Sequence, residues 1–376
     1  MGVGALLGAG INNALGGQPV GTDFLSFYAV STLIREGHAS AAYDLEALHA
    51  AQQAIAGPDS PFYGWLYPPI ALLVVAPLSM LPYGLSLVAW LVLTGAIYVS
   101  ALRRILPQPR ALLPILAFPG VFLTAGHGQN ALLSAGILSW GLVVLAKNPS
   151  LGGALLGTLS FKPQLGLLLP VAFVASRNAK AFAAATLSVL ALSGLSLLAF
   201  GTETWAAFLA QSGFAVDVLE EGGVAWEKMI SAFAAARLVG LSAPVAWVLQ
   251  AIVTAGAAAL VWHVWHKPRP DAFRTAAIAL GTLLATPFAL DYEATFLGVA
   301  IAAMAADGLE RRFLDWEKSA LAILWVSPLL WRMSSIGTGV PFGLLVLVAA
   351  VALLLRRVRW SDRDEQESRA AGLVTM

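Results

Sequence analysis

Asp23, His127, Gln129, Asn130, Lys162, Gln164 and Asp291 interrupt apolar stretches of a chain that otherwise avoids polarity. A carboxylate can accept a proton, an ammonium group can stabilise a developing anion, and amides can hold hydroxyl groups. Asp23 lies in Gly21-Thr22-Asp23-Phe24, where the first apolar stretch gives way to the longest polar interruption of the N-terminal half. A charge at the mouth of a membrane helix is costly unless solvated or paired, so Asp23 reads as a working group at a lipid–water boundary. Lys162 lies in Phe161-Lys162-Pro163-Gln164 with apolar or small residues on both sides. A lysine at that depth costs about 2.5–3.5 kcal/mol on insertion scales and calls for an anionic partner. Pro163 removes an N–H and opens the helix beside the charge. Gly126-His127-Gly128-Gln129-Asn130 reads as a tight turn, and Thr286-Pro287-Phe288-Ala289-Leu290-Asp291-Tyr292-Glu293 as a Pro-broken helix end with two carboxylates. The blander reading of Asp23, the turn and the Asp291 segment is ordinary solvated helix flanks.

These groups must be positioned by membrane helices. The chain has 376 residues, of which 59% are hydrophobic and 11% charged, against about 25% charged in an average soluble domain. Its mean hydropathy is +0.78. The apolar runs are continuous, which excludes a β-barrel and predicts an all-α polytopic membrane protein. A net charge of +1 gives no case for nucleic-acid binding. With no cysteine there are no disulfides and no thiolate metal sites. No glycine-rich nucleotide loop occurs. A divalent metal would need a carboxylate cluster, for which Asp23 with the loop acids is a weak candidate, so neither metal nor cofactor is indicated.

Apolar segments fall at about 68–82, 84–102, 111–126, 129–146, 151–175, 181–200, 240–265, 275–290, 294–306, 319–333 and 341–355. With a first segment before about residue 20, these predict a bundle of about twelve transmembrane helices. Residues 18–66 form a first outer loop, in which Ala41, Leu45, Leu48 and Ile55 make an apolar stripe; two amphipathic helices on the membrane surface are expected there. Residues 201–229 form a second outer loop. The domain runs over 1–360, and the charged tail 361–376 reads as disordered and cytoplasmic. Arg177/Lys180, Lys267/Arg269/Arg274, Arg311/Arg312 and Arg356/Arg357/Arg359 mark the cytoplasmic side, which leaves Asp23 and Asp291 outside. Arg103, Arg104, Arg110 and Lys147 conflict with this if 151–175 is one crossing; a re-entrant segment between 66 and 175 would return them to the inside.

Six stretches carry a family resemblance: Gly-Thr-Asp-Phe-Leu-Ser-Phe-Tyr (21–28), Ala-Tyr-Asp-Leu (42–45), Leu-Tyr-Pro-Pro (66–69), Gly-Gln-Asn (128–130), Phe-Lys-Pro-Gln (161–164) and Pro-Phe-Ala-Leu-Asp-Tyr (287–292). In these motifs and their order the chain resembles glycosyltransferase family 87, of the membrane-embedded GT-C superfamily. The resemblance implies a GT-C-type bundle and a polyprenyl-phosphate sugar donor, usually mannose. It also implies transfer on the outer face to a lipid-linked or glycan hydroxyl, with an Asp of the first outer loop, here Asp23, as general base. It places the protein in a bacterial inner (plasma) membrane.

In that chemistry Lys162 suits the leaving phosphate, with His127 and Arg332 as helpers. Gln129, Asn130, Gln164, Asp291 and Tyr292 suit the sugar or acceptor. The competing expectation is a transporter or flippase for a lipid or small anion, to which broken helices and an intramembrane lysine also belong.

Overall fold

The computed structural model describes residues 20–370, and among them every extended element is helical. The one strand-like feature among these residues is an isolated bridge between Met229 and Leu290. The first apolar segment expected from the sequence lies outside the described residues.

Helix α1 (Thr22–Arg35) begins after Gly21, whose φ of 71° sets the turn into it. Its Phe24, Leu25, Phe27, Val30 and Leu33 are all buried, so it packs on most of its circumference instead of lying on a surface as expected. The reason is an aromatic collar: Phe27 meets the rings of Trp65, Tyr67 and Trp90, and Phe24 that of Tyr83. Helix α2 (Leu45–Ala56) buries Leu48 and the polar Gln52, and leaves Leu45, a member of the expected apolar stripe, exposed. Asp44 caps it by accepting from the N–H of Ala47 at 2.9 Å. Gln52 exchanges hydrogen bonds of 2.6 and 3.0 Å with the backbone of Tyr63, which ties the following loop down. The short α3 (Ile70–Val75) completes this cap over one end of the molecule.

Among the described residues four helices are long and apolar enough to cross a membrane: Tyr83–Ile105 (α4), Ala179–Glu221, Ala243–Trp265 and Asp291–Glu310. Two bent pairs raise the number to six: Pro109–Leu116 with Pro119–His127, bent by 46°, and Glu317–Leu329 with Trp331–Thr338, bent by 67°. The expected count of twelve is not carried by helices of that length. The element following the first bent pair's α5 (Leu112–Leu116) and α6 (Pro119–His127), α7 (Ala131–Leu145), has only 15 residues, short of the roughly 20 that a full crossing needs.

The segment 151–175 is no single helix. Helix α8 (Pro149–Gly157) passes into two short 3-10 turns, Thr158–Phe161 and Pro163–Gly166, and α9 (Leu169–Ala175) follows. Lys162 sits between the two turns, where Pro163 breaks the ladder. The chain then comes back. Pro149 and Asn178, which bracket this segment, line one cavity together with Leu145, whereas Lys162 reaches Asn130 at the opposite end of α7. It is a helical hairpin with the lysine at its tip. Arg177 and Lys180 thereby return to the Lys147 end of the molecule, as the re-entrant alternative requires. Close backbone approach holds the hairpin: a Cβ on Gly153 would collide with the carbonyl of Ala181, at the start of α10 (Ala179–Ala210).

Helix α10 bends at Gly201, where φ is 79° and ψ 167°, and α11 (Ser212–Glu221) continues it, so most of the second polar stretch is helical. Helix α12 (Ala232–Leu238) leads to a hairpin of α13 (Ala243–Trp265) and α14 (Asp271–Ala285). Helix α15 (Ala294–Glu310) is buried over most of its length and spans the core, since 17 residues rise about 25 Å. Helices α16 (Glu317–Val326) and α17 (Trp331–Thr338) return, and α18 (Phe342–Ala370) runs away again.

Far from Asp23, Arg357 is fully buried and paired with both Asp307 and Glu317. Arg311 bonds the other oxygen of Asp307 at 2.5 Å, and Arg311 and Arg312 lie over the ring of Trp360. The tail expected to be disordered is helical through Ala370. Asp362 receives two hydrogen bonds from Arg269, at 3.1 and 2.6 Å, and this fixes a charge run that carries no apolar signal of its own.

Candidate active site

The site gathers at the capped end, from five stretches of chain. Asp23 lies in the first turn of α1, where the helix dipole favours a carboxylate. Its Oδ2 accepts a hydrogen bond of 2.8 Å from Nε2 of Gln129. The same nitrogen donates to the hydroxyl of Tyr292 at 3.2 Å, and Oε1 of Gln129 accepts from Tyr67 at 3.2 Å and from the N–H of Asn130 at 3.0 Å. Gln129 is therefore the hub, and its amide orientation is fixed on both sides. Gly128 makes the hub possible. It closes α6 in the left-handed region with φ of 65°, its carbonyl accepts from Trp90 at 3.1 Å, and Phe24 packs directly on it. His127, one residue earlier, places Nδ1 2.9 Å from Oγ1 of Thr22 and its ring against Tyr292.

Lys162 is buried and makes an ion pair of 2.7 Å with Glu293 and a 3.2 Å hydrogen bond to Asn130 Oδ1. Its ammonium also lies over the rings of Tyr67 and Tyr292, at 5.8 and 5.5 Å. Glu293 is completely buried, and its second oxygen accepts from the N–H of Leu290 at 3.0 Å. The anionic partner that Lys162 demanded is thus Glu293, the carboxylate of the 286–293 segment that sequence reasoning passed over in favour of Asp291. The Thr-Pro break before it was the available signal.

Asp291 is buried within the electrostatic reach of His127, Arg332 and Lys228. Lys228, at the end of the second polar stretch, was not anticipated either. Arg332 is half-buried on α17, and among the described residues it has no carboxylate within ion-pair distance. Gln164, half-buried beyond the Lys162 break, makes no hydrogen bond to the cluster. Tyr63, on the loop of the cap, faces the charge of Asp23; burial first, and that charge second, push its phenol up from its ordinary value. Among the described residues no three His, Asp or Glu side chains gather as a metal group.

The arrangement offers a partly exposed carboxylate held by an amide, beside a buried cation and a half-exposed arginine. It can take a proton from a hydroxyl and face an anion at once. Apolar helices of crossing length carrying such a polar site at one end define an integral membrane protein with the equipment of a group-transfer enzyme. The sequence model of glycosyltransferase family 87 matches residues 65–287. That is more than half of the chain, and the chain belongs to this family; it is a glycosyltransferase. The match takes in Tyr67, His127, Gln129, Asn130 and Lys162 but neither Asp23 nor Glu293. No curated protein and no solved structure matches the chain.

Proposed function

We propose that the chain moves a hexose, mannose in the first instance, from a polyprenyl-phosphate donor to a hydroxyl of a lipid-linked or glycan acceptor. The setting is the outer face of a bacterial inner membrane, with residues 1–360 as one membrane domain. The observation that carries this reading is the Asp23 carboxylate, aimed by Gln129 into the cluster that also contains Lys162. In the reaction the acceptor hydroxyl gives its proton to Asp23 as its oxygen bonds to the anomeric carbon. The carbon–oxygen bond to phosphate breaks, and the phosphate keeps the electron pair. The displacement inverts the anomeric centre, so a second carboxylate nucleophile is not needed.

The phosphate meets Lys162 with its charge already matched by Glu293. It therefore gains a hydrogen-bond donor there more than a net cation. Arg332, and His127 when protonated, supply the uncompensated charge. Asp291, Tyr292, Asn130 and Gln164 line the approach of sugar and acceptor.

The test is incubation of the purified protein with radiolabelled polyprenyl-phosphate mannose and a crude lipid extract. The expected result is a labelled glycolipid. Label taken up into liposomes without a new product would replace this reading by the transport one.

A further inference from the structure

We propose that the cavity at the base of the Lys162 hairpin binds the phosphate headgroup of an anionic phospholipid, in the leaflet away from Asp23. The cavity measures about 270 Å³ and is lined by Pro149, Ser176, Asn178, Trp265, Asp271 and Arg274, among others. It lies near the low end of the range for ligand pockets, with room for a phosphate and its glycerol. It sits at the end of α7 opposite Asn130, so the transfer reaction makes no use of it. Three helices, α8, α10 and α14, begin there: Pro149 and Asp271 open α8 and α14, and Asn178 caps α10. Amino ends of helices brought together favour an anion between them.

Two further observations point to an anion. The first is unmatched charge. Lys147, Arg177, Lys180 and Lys267 are exposed, each within two residues of one that lines the cavity. Among the described residues none of the four has a carboxylate within ion-pair distance. Asp271 answers Arg274 alone, at 3.7 Å. The guanidinium of Arg274 lies over the ring of Trp265, and its Nε is buried with no hydrogen-bond partner among the described residues. The second is backbone strain. Arg177 follows α9 with φ of 53°, in the left-handed region where glycine is the ordinary choice. Cations that served only to orient the chain in the membrane could stand anywhere in the loop and would not call for a strained arginine. The surroundings make the anion a lipid's. Val174 of α9, Phe182 of α10 and Trp262 of α13 are exposed within a turn or two of the cavity, an apolar surface for acyl chains. A basic pocket between membrane helices is the setting in which acidic headgroups are held.

The test titrates the full-length protein, in neutral detergent, with dioleoylphosphatidylglycerol and with the zwitterionic dioleoylphosphatidylcholine, and reads bound lipid by native mass spectrometry. The acidic lipid is expected to bind at least tenfold more tightly. Arg177→Gly keeps the turn and removes the cation. It should weaken that binding about fivefold, and about thirtyfold together with Lys180→Gln, while the thermal unfolding temperature without lipid stays level or rises. Ala146→Trp, at an exposed position that lines the cavity, should fill it and abolish the preference for the acidic lipid. Equal binding of the two lipids overturns the assignment, and so does a wild-type preference in Ala146→Trp or in the Arg177→Gly/Lys180→Gln variant. Displacement of the acidic lipid by millimolar inorganic phosphate would also overturn it, by making a free anion the occupant.

Discussion

Replacing Asp23 by asparagine keeps an oxygen for Gln129 to bond and removes the capacity to take a proton. Transfer should fall by about 10²–10⁴-fold while the thermal unfolding temperature stays near that of the wild type; near-normal turnover would rule out Asp23 as the base. The Lys162–Glu293 pair makes a different prediction. Either single change, Lys162→Met or Glu293→Gln, leaves one buried charge without its partner and should cost about 3–5 kcal/mol. The double variant should recover much of that stability in a thermal melt and still lack activity. If the double is no more stable than the singles, the pair is not what holds the tip of the hairpin. Asp23 and Lys162 were legible in the sequence because a charge in an apolar run stands out. Glu293 was not, because it sits two residues from Asp291 in one short motif, and only the fold decides which acid meets the lysine.

Helices as such were readable from the apolar runs, and so was the break at Pro163. The direction of the chain after the break was not. Hydropathy has no sign along the helix axis, so a segment that turns back reads like one that goes on. The flanking cations were the better guide, since Arg103, Arg104, Arg110 and Lys147 fit one side only with a re-entrant segment. The burial of α1 was hidden for a similar reason: its aromatic neighbours Trp65, Tyr83 and Trp90 come from later stretches. At this scale Gly128 is the sensitive point. Alanine there meets both the unfavourable φ and the Cβ of Phe24 at 2.5 Å. Gly128→Ala should destabilise the fold by about 1–3 kcal/mol and lower transfer as well, because α1 carries Asp23. Wild-type melting and turnover in that variant would show that the turn does not set the hub.

At the scale of the molecule, two clusters of buried ion pairs among the described residues lie one at each end of α15: Lys162 with Glu293, and Arg357 with Asp307 and Glu317. The second set docks the end of α18, helped by Arg269 and Asp362. The hydrogen bonds from Arg269, and then its charge, hold the Asp362 carboxyl below its ordinary value of 3.8. A depressed value means that this contribution is complete above the unfolded-state value and is lost as acid titrates the folded carboxyl below it. The side chain of Asp362 is 34% exposed, so the contribution is at most about 1 kcal/mol. With the intrinsic pH dependence of amide exchange divided out, the protection of residues 358–367 should fall by up to about fivefold between neutral pH and about pH 3, and Asp362→Asn should flatten that dependence. An unchanged dependence in the variant would place the acid sensitivity elsewhere.

The hairpin also has a consequence for how the protein is made. Chains emerge from the ribosome N-terminus first, so Lys162 enters the membrane long before Glu293 exists to neutralise it. A continuous helix would strand the ammonium among lipid tails for that interval. A segment that turns back at Lys162 need not be threaded across. It can wait with its charged tip near water and slide into place once α15 and the acid at its head arrive, which makes the completion of this site a late event in biosynthesis.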